Sequence, residues 1–299
     1  MSVLITGTVA LDTITSPVGK CHQALGGSAS YASVSASFFT PVNLVATVGK
    51  DFPKAHIQLF KRKGIDTQGL TIKKGKTFHW EGEYGWDFSD ARTLATHINV
   101  LSQFNTTLPK DYTKSKYVFL ANIDPQMQAT VLKQVSSPRF VICDTMNYWI
   151  SNARKHLVRL LKKIDMSLLN ESEARQLSGQ TNIMKAAKAL LKLGPKILVI
   201  KKGEHGAIMF TNNRVICVPG FLLEDISDPT GAGDTFGGAL VGYLASRSGN
   251  NLANLKSAVV YGKIMATFAV EDFSLRRLIS LRKSDISKRF NEFRKFSCF

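Results

Sequence analysis

Cysteine is scarce and scattered, with four in 299 residues. Cys21, Cys143, Cys217 and Cys298 form no C-x-x-C pair, so the spacing suggests neither a disulfide framework nor a zinc ribbon. Buried, reduced thiols in a cytosolic chain are expected. Long hydrophobic runs are missing too. The tightest apolar stretches, such as Ile197-Leu198-Val199-Ile200, are strand-sized, well short of the roughly 20 residues a membrane span needs. The start, Met1-Ser2-Val3-Leu4-Ile5-Thr6-Gly7, lacks a basic segment, an apolar core and a cleavage site. No secretory signal is expected, and a cytoplasmic location follows. The six histidines show no metal spacing, and neither H-E-x-x-H nor a nucleophile elbow occurs. Acidic residues are few, 22 against 39 basic, which leaves a net charge of +17.

What is present fits a globular enzyme-sized chain. Apolar residues make up 44% and charged residues 20%, enough to bury a core without disulfides or metals. A positive field attracts nucleic acid, acidic membranes or polyanionic small substrates such as nucleotides. The excess is partly local, since 276–295 carries eight Lys/Arg against two Asp/Glu. Ile286, Phe290 and Phe293 recur there at i, i+4 and i+7, so the segment reads as an amphipathic helix with basic residues on its solvated face. Composition alone leaves a nucleic-acid-binding protein open.

Strand and helix signals alternate along the chain. Val3-Leu4-Ile5 and Val42 to Val48 read as buried strands, flanking a small-residue helix from Ser28 to Phe39 that Gly26-Gly27 opens. A helix over 54–63 ends at Gly64. Short strands broken by Gly75, Gly82 and Gly85 suggest a small antiparallel insert over about 70–105. Strands are then expected at 117–120, 140–143, 167–169 and 197–200, with helices from Pro125, over 150–163, through Leu177 and over 183–193. A hairpin near 206–218 and long helices from Gly231 and from 252 complete the pattern. Such alternation predicts a parallel sheet covered on both faces. Gly69 to Thr77 superficially suggests a P-loop, but five residues separate its glycines and no strand-to-helix context surrounds it.

One segment carries most of the chemistry: Asp228-Pro229-Thr230-Gly231-Ala232-Gly233-Asp234-Thr235-Phe236-Gly237-Gly238-Ala239. Gly231 and Gly233 permit close backbone approach at the start of a helix, where free N–H groups and the dipole favour negative charge. Asp234 stands at the mouth of this nest, placed to take a proton from a hydroxyl or merely to favour the dipole.

The string resembles the second signature of the PfkB carbohydrate kinase family, the ribokinase-like kinases. Further motifs follow in the family's order. Gly7 with Asp12 resembles its first strand and substrate aspartate, Gly26-Gly27 its di-glycine motif, Asn170-Glu171-Ser172-Glu173 its N-x-x-E motif, and Gly203-Glu204-His205-Gly206 its nucleotide loop. The resemblance implies one three-layer α/β/α domain over 1–299, with a mostly parallel central sheet and a β-sheet lid at about 70–105. It implies an ATP- and Mg²⁺-dependent kinase acting on an alcohol of a small sugar or sugar derivative, a nucleoside kinase being the alternative. A monovalent cation is a further candidate cofactor. Asp234 would be the base, with Gly231, Ala232 and Gly233 as the anion hole. Asp12, Gly26, Gly27 and Ser28 would hold the acceptor. Asn170, Gly203, Gly206 and Thr230 would bind the nucleotide, and Glu173 would serve the metal. No membrane and no specific nucleic acid are expected as partners, and the chain would be a monomer or a homodimer through the lid.

Three positions depart from the pattern. Tyr31 stands where the family commonly carries Asn, so an acceptor contact there has changed character. Lys201 replaces a common Thr and either touches a phosphate as a point charge or points to solvent. Asp144 and Asn147 follow a strand end, where open α/β sheets bind ligands, and are acceptor candidates on that ground. In Phe78-His79-Trp80-Glu81-Gly82-Glu83-Tyr84, the alternation puts Phe78, Trp80 and Tyr84 on one face. That face could close over the acceptor, pack on the body or meet a second lid.

Overall fold

A computed structural model of the chain describes residues 1–89, 91–247 and 249–297, the side chain of Phe296 excepted. The chain opens with β1 (Val3–Thr6), the hairpin β2 (Ala10–Ser16) and β3 (Gly19–Gly26), and α1 (Ser28–Ala36). It continues through β4 (Val42–Gly49), α2 (Lys54–Arg62), β5 (Ile65–Lys73), β6 (His79–Glu83) and β7 (Arg92–His97). Next come β8 (Tyr117–Leu120), α3 (Pro125–Leu132), β9 (Phe140–Asp144), α4 (Asn147–Asn152), α5 (Arg154–Leu161) and β10 (Met166–Asn170). After α6 (Glu171–Ser178) and α7 (Ile183–Leu191), β11 (Ile197–Lys201), β12 (Ala207–Thr211) and β13 (Val215–Val218) form one edge. Four helices close the chain: α8 (Ala232–Ser246), α9 (Leu252–Ala269), α10 (Arg276–Ser280) and α11 (Lys283–Ser297).

Nine strands make one sheet in the order β13-β12-β11-β10-β9-β8-β1-β4-β5. It is parallel from β11 to β5 and antiparallel through the β12–β13 hairpin. Alternation along each strand divides the apolar residues between two cores. Val3, Ile5, Phe119, Leu168 and Val199 join the core under α1, α8 and α9. Leu4, Val118, Leu120, Leu169 and Leu198 join the other, under α3, α5, α6 and α7. The ribokinase-like α/β architecture read from the sequence is therefore present, with helices on both faces.

The small-residue composition of α1 has a packing cause. All nine of its residues are buried, and a Cβ on Gly238 of α8 would sit 2.2 Å from the Ala32 carbonyl oxygen. Gly242 likewise approaches Ala36. The two helices thus run close and in the same sense, which brings their N-termini together at one end of the sheet.

The second sheet has the order β3-β2-β6-β7. Its outer pairs are antiparallel, but β2 and β6 pair in parallel. Two of the four strands come from 10–26 rather than from 70–105, and residues 65–73 belong to the edge of the large sheet. The early hairpin hid from sequence reading because β2 buries Asp12, Thr13 and Ser16 beside its apolar residues, which blurs the alternation. The helix expected over 150–163 is broken at Ala153 into α4 and α5. Cys21 and Cys143 are buried, but Cys217 is exposed because β13 is an edge strand. Cys298 lies outside the described residues. No helix among the described residues is long and apolar enough to cross a membrane.

Candidate active site

Adjacent strands β9, β10 and β11 end in Asp144, Asn170 and Lys201. Lys201 Nζ spans this row to Asp144 Oδ2 at 2.8 Å. It does not point to solvent. Burial works against its charge, but Asp144, Glu173 and Asp234 outweigh burial and hold its pKa above the ordinary value. A Cβ on Gly233 would lie 3.0 Å from Nζ, so glycine at this place lets the ammonium sit against the first turn of α8. That turn starts at Gly231 in the left-handed region (φ 75°) and has no side-chain cap. Ala232, Gly233 and Asp234 line a cleft of about 820 Å³. The Ala232 N–H turns back to the Pro229 carbonyl, while Gly231 packs on the ring of Tyr31. Asp234 is pushed up to about 7, first by burial and then by the Asp144 charge, with Lys201 opposing.

The N-x-x-E residues are first of all a capping box. Asn170 Oδ1 accepts from Glu173 N, and Glu173 Oε2 accepts from Asn170 N, each at 2.7 Å. Glu173 is buried rather than solvated, and both residues line the cleft. Farther along, Gly203 (φ 53°) and Gly206 (φ 98°) frame a tight loop. Side chains of Phe221, Leu223, Ile226, Ala266 and Val270 form an apolar arm beside it.

Asp12 occupies the other side of the α1 N-terminus. Its Oδ2 accepts from Gly27 N at 3.1 Å, and the Trp80 backbone N–H also faces the carboxyl. Burial is the main cause that lifts its pKa to about 7, against the backbone hydrogen bonds of Gly27 and Trp80. Gly26 leaves no room for a Cβ, which would fall 1.9 Å from Asp12 Oδ2. Tyr31 is fully buried, and its hydroxyl lacks a partner. Burial raises its pKa well above the usual range, with Asp228 and Asp12 adding to the effect. The structure does not bring every expected residue to this place. Ser28 Oγ is spent on the Asn122 carbonyl and on Thr8. Asn147 is exposed at the start of α4, its Oδ1 taken by Tyr148 N at 2.7 Å, and does not line the cleft. Asp144 lines the cleft, its Oδ2 engaged by Lys201 and its Oδ1 by Thr145 N. Thr230 Oγ1 meets Tyr84 OH at 3.1 Å, tying the second sheet to the turn before α8.

Two residues of the site had no role read for them in the sequence, although Asp228 opens the 228–239 segment. Lys263 on α9, buried and lining the cleft, donates to the Gly203 carbonyl at 2.8 Å. Burial lowers its pKa to about 8. Its signal was present, because it is the lone charged residue in the apolar run 258–269. Asp228 accepts Thr230 N and Ser274 N, at 2.9 and 3.0 Å, and so anchors the turn before Gly231.

The profile of the pfkB family carbohydrate kinases matches residues 7–280. The chain belongs to that family. It is a phosphotransferase of the sugar and nucleoside kinases, as its motif order implied. The cytidine kinase of Thermococcus kodakarensis is 30% identical over 255 residues, covering 83% of this chain and 90% of the relative. Aminoimidazole riboside kinase from Salmonella enterica, solved with its riboside and an ATP analogue, superposes with a TM-score of 0.79 at 16% identity, over 97% of this chain and 100% of that one. An Escherichia coli structure described as ribokinase II, solved with ATP and Mg²⁺, gives 0.78 at 18% identity, over 97% and 99%. These solved structures share the pfkB fold seen here.

Proposed function

We propose that this pfkB kinase transfers the γ-phosphoryl group of ATP to an alcohol of a small sugar or sugar derivative. The observation that carries the reading is the half-buried Asp234 carboxyl at the uncapped start of α8, with Lys201 held against the same turn. Asp234 takes the proton of the acceptor hydroxyl, the oxygen attacks the γ-phosphorus, and ADP leaves. The N–H groups at the α8 start and the Lys201 ammonium stabilise charge on the transferring group. The apolar arm beside Gly203 and Gly206 takes the base of the donor. Asp12, a buried carboxyl at the start of α1, accepts from acceptor hydroxyls beside Gly27.

Mg²⁺ fits this donor set as a phosphate-bound ion, which keeps several waters and needs only one or two carboxylates. Among the described residues no group of three His, Cys, Asp or Glu could cage an ion. Glu173 is the carboxylate that would reach it, and the ion would neutralise phosphate charge. A monovalent cation enters only through the family resemblance, and activity with and without K⁺ tests it.

A nucleoside acceptor is supported by a specific observation. The β2–β6 register, Thr13 opposite Glu81, puts Trp80 on the same face as Asp12; the residue is half-buried, with its ring over Gly82 and its Nε1 donating to Thr93 Oγ1. Such a ring can stack on a base, and the cytidine kinase relative agrees with that use. The test is ADP formation against sugars, sugar phosphates and nucleosides. One hydroxylated acceptor should stimulate ADP release strongly. A folded protein that binds ATP yet is stimulated by none of the three classes contradicts the proposal.

A further inference from the structure

The family match ends at residue 280, yet the chain continues into α11, whose Ile286, Phe290 and Phe293 pack on the main core. One charged residue of this helix turns inward. Arg289 is 16% exposed, and its Nη2 lies 2.5 Å from Glu271 Oε1. Its guanidinium stacks 3.6 Å from the centre of the Phe268 ring and 5.6 Å from that of Phe221. Nη1 donates to Thr267 Oγ1 at 3.1 Å. Phe221 and Thr267 both line the cleft.

Glu271 carries the connection further. The Ser227 hydroxyl donates to its backbone carbonyl at 3.0 Å, and Ser227 and Asp228 N–H groups donate to the Val270 carbonyl. Asp228 in turn holds Thr230 N, one residue before the left-handed Gly231. A bonded path therefore runs from the C-terminal helix to the turn that aims the α8 N-terminus. The planar fork of Arg can bond Glu271 and Thr267 while stacking on a ring, which an ammonium cannot do at once.

We propose that Arg289 is a positioning residue for the phosphoryl donor, through which α11 backs the apolar arm and steadies residues 227–231. This rests on the donor reading given above. A residue that merely staples α11 to the core would lower stability without distinguishing donor from acceptor.

The test measures ATP–Mg²⁺ binding calorimetrically without acceptor, in the parent chain, Arg289→Ala, Arg289→Lys and Glu271→Gln. Both KM values and the unfolding temperature are measured alongside. ATP affinity should fall about tenfold in Arg289→Ala, the scale of coupling through a packed network. The ATP KM should rise with it while the acceptor KM stays within about twofold. Lysine should not rescue binding, and Glu271→Gln should weaken it in the same direction, which covers a poorly folded alanine variant. Unchanged ATP affinity in folded Arg289→Lys and Glu271→Gln, or equal rises in both KM values, overturns the inference. Failure of the parent to bind ATP removes the donor reading itself.

Discussion

Replacing Lys201 by methionine keeps most of the side-chain length and deletes its charge. The ion pair with Asp144 is nearly dry, the two side chains being 17% and 4% exposed. Removing one partner of such a pair leaves the other charge buried and uncompensated, at a cost of roughly 3–5 kcal/mol. At about 2 °C per kcal/mol for a large domain, Tm should fall by about 6–10 °C near pH 8. A second effect is independent of stability. Lys201 is the cation that opposes the rise of the Asp234 pKa. Without it Asp234 protonates at higher pH, and the acid limb of the rate profile should move up by about one unit or more. Scanning calorimetry and a pH–rate profile read the two effects separately. Adding Asp144→Leu should recover most of the lost Tm, because removing both ions of a buried pair is often near neutral. A folded Lys201→Met whose Tm and acid limb both match the parent would refute the reasoning.

Three further outcomes are expected. Asp12 and Asp234 both have folded pKa values near 7, raised mainly by burial. The folded chain therefore binds more protons than the unfolded one between about pH 4 and 7, and stability falls as pH rises through that window. His56, lowered by burial, works the opposite way as a smaller single contribution. Tm of the ligand-free protein should be higher at about pH 5.5 than at about pH 7.5, and the reverse slope contradicts the paired-aspartate account. Trp80→Ala should raise the acceptor KM more than the ATP KM; an unchanged acceptor KM with a shift from dimer to monomer makes the aromatic face an interface. Duplex DNA should bind weakly and lose affinity steeply with salt, as for scattered phosphate contacts. Tight sequence-selective binding at physiological salt contradicts that.

The large sheet was legible because strands buried on both faces, such as Val118 to Leu120, read as continuous apolar runs. The 228–239 segment was legible because glycines and an aspartate at one helix start have a narrow use. The hairpin from Ala10 to Gly26 was not, since β2 buries the polar Asp12, Thr13 and Ser16 among its apolar residues, so neither face shows a clean alternation. Lys201 could be read two ways in the sequence, because its direction depends on Asp144, a partner 57 residues away. Arg289 was assigned to a solvated basic face for a similar reason. Helical periodicity separates apolar from polar positions, but it cannot single out an arginine whose partners, Thr267 on α9 and Glu271 just beyond it, lie elsewhere in the chain.

The central claim is that Asp234 takes the acceptor proton at the α8 nest. It is tested most directly by Asp234→Asn, assayed for ATP affinity and for acceptor-dependent turnover in the same preparation. The substitution keeps size and the helix start, so the fold and ATP affinity should hold within about twofold. Turnover should fall at least ~10²-fold, the scale of a lost general base. Turnover close to the parent in a correctly folded Asp234→Asn would contradict the account.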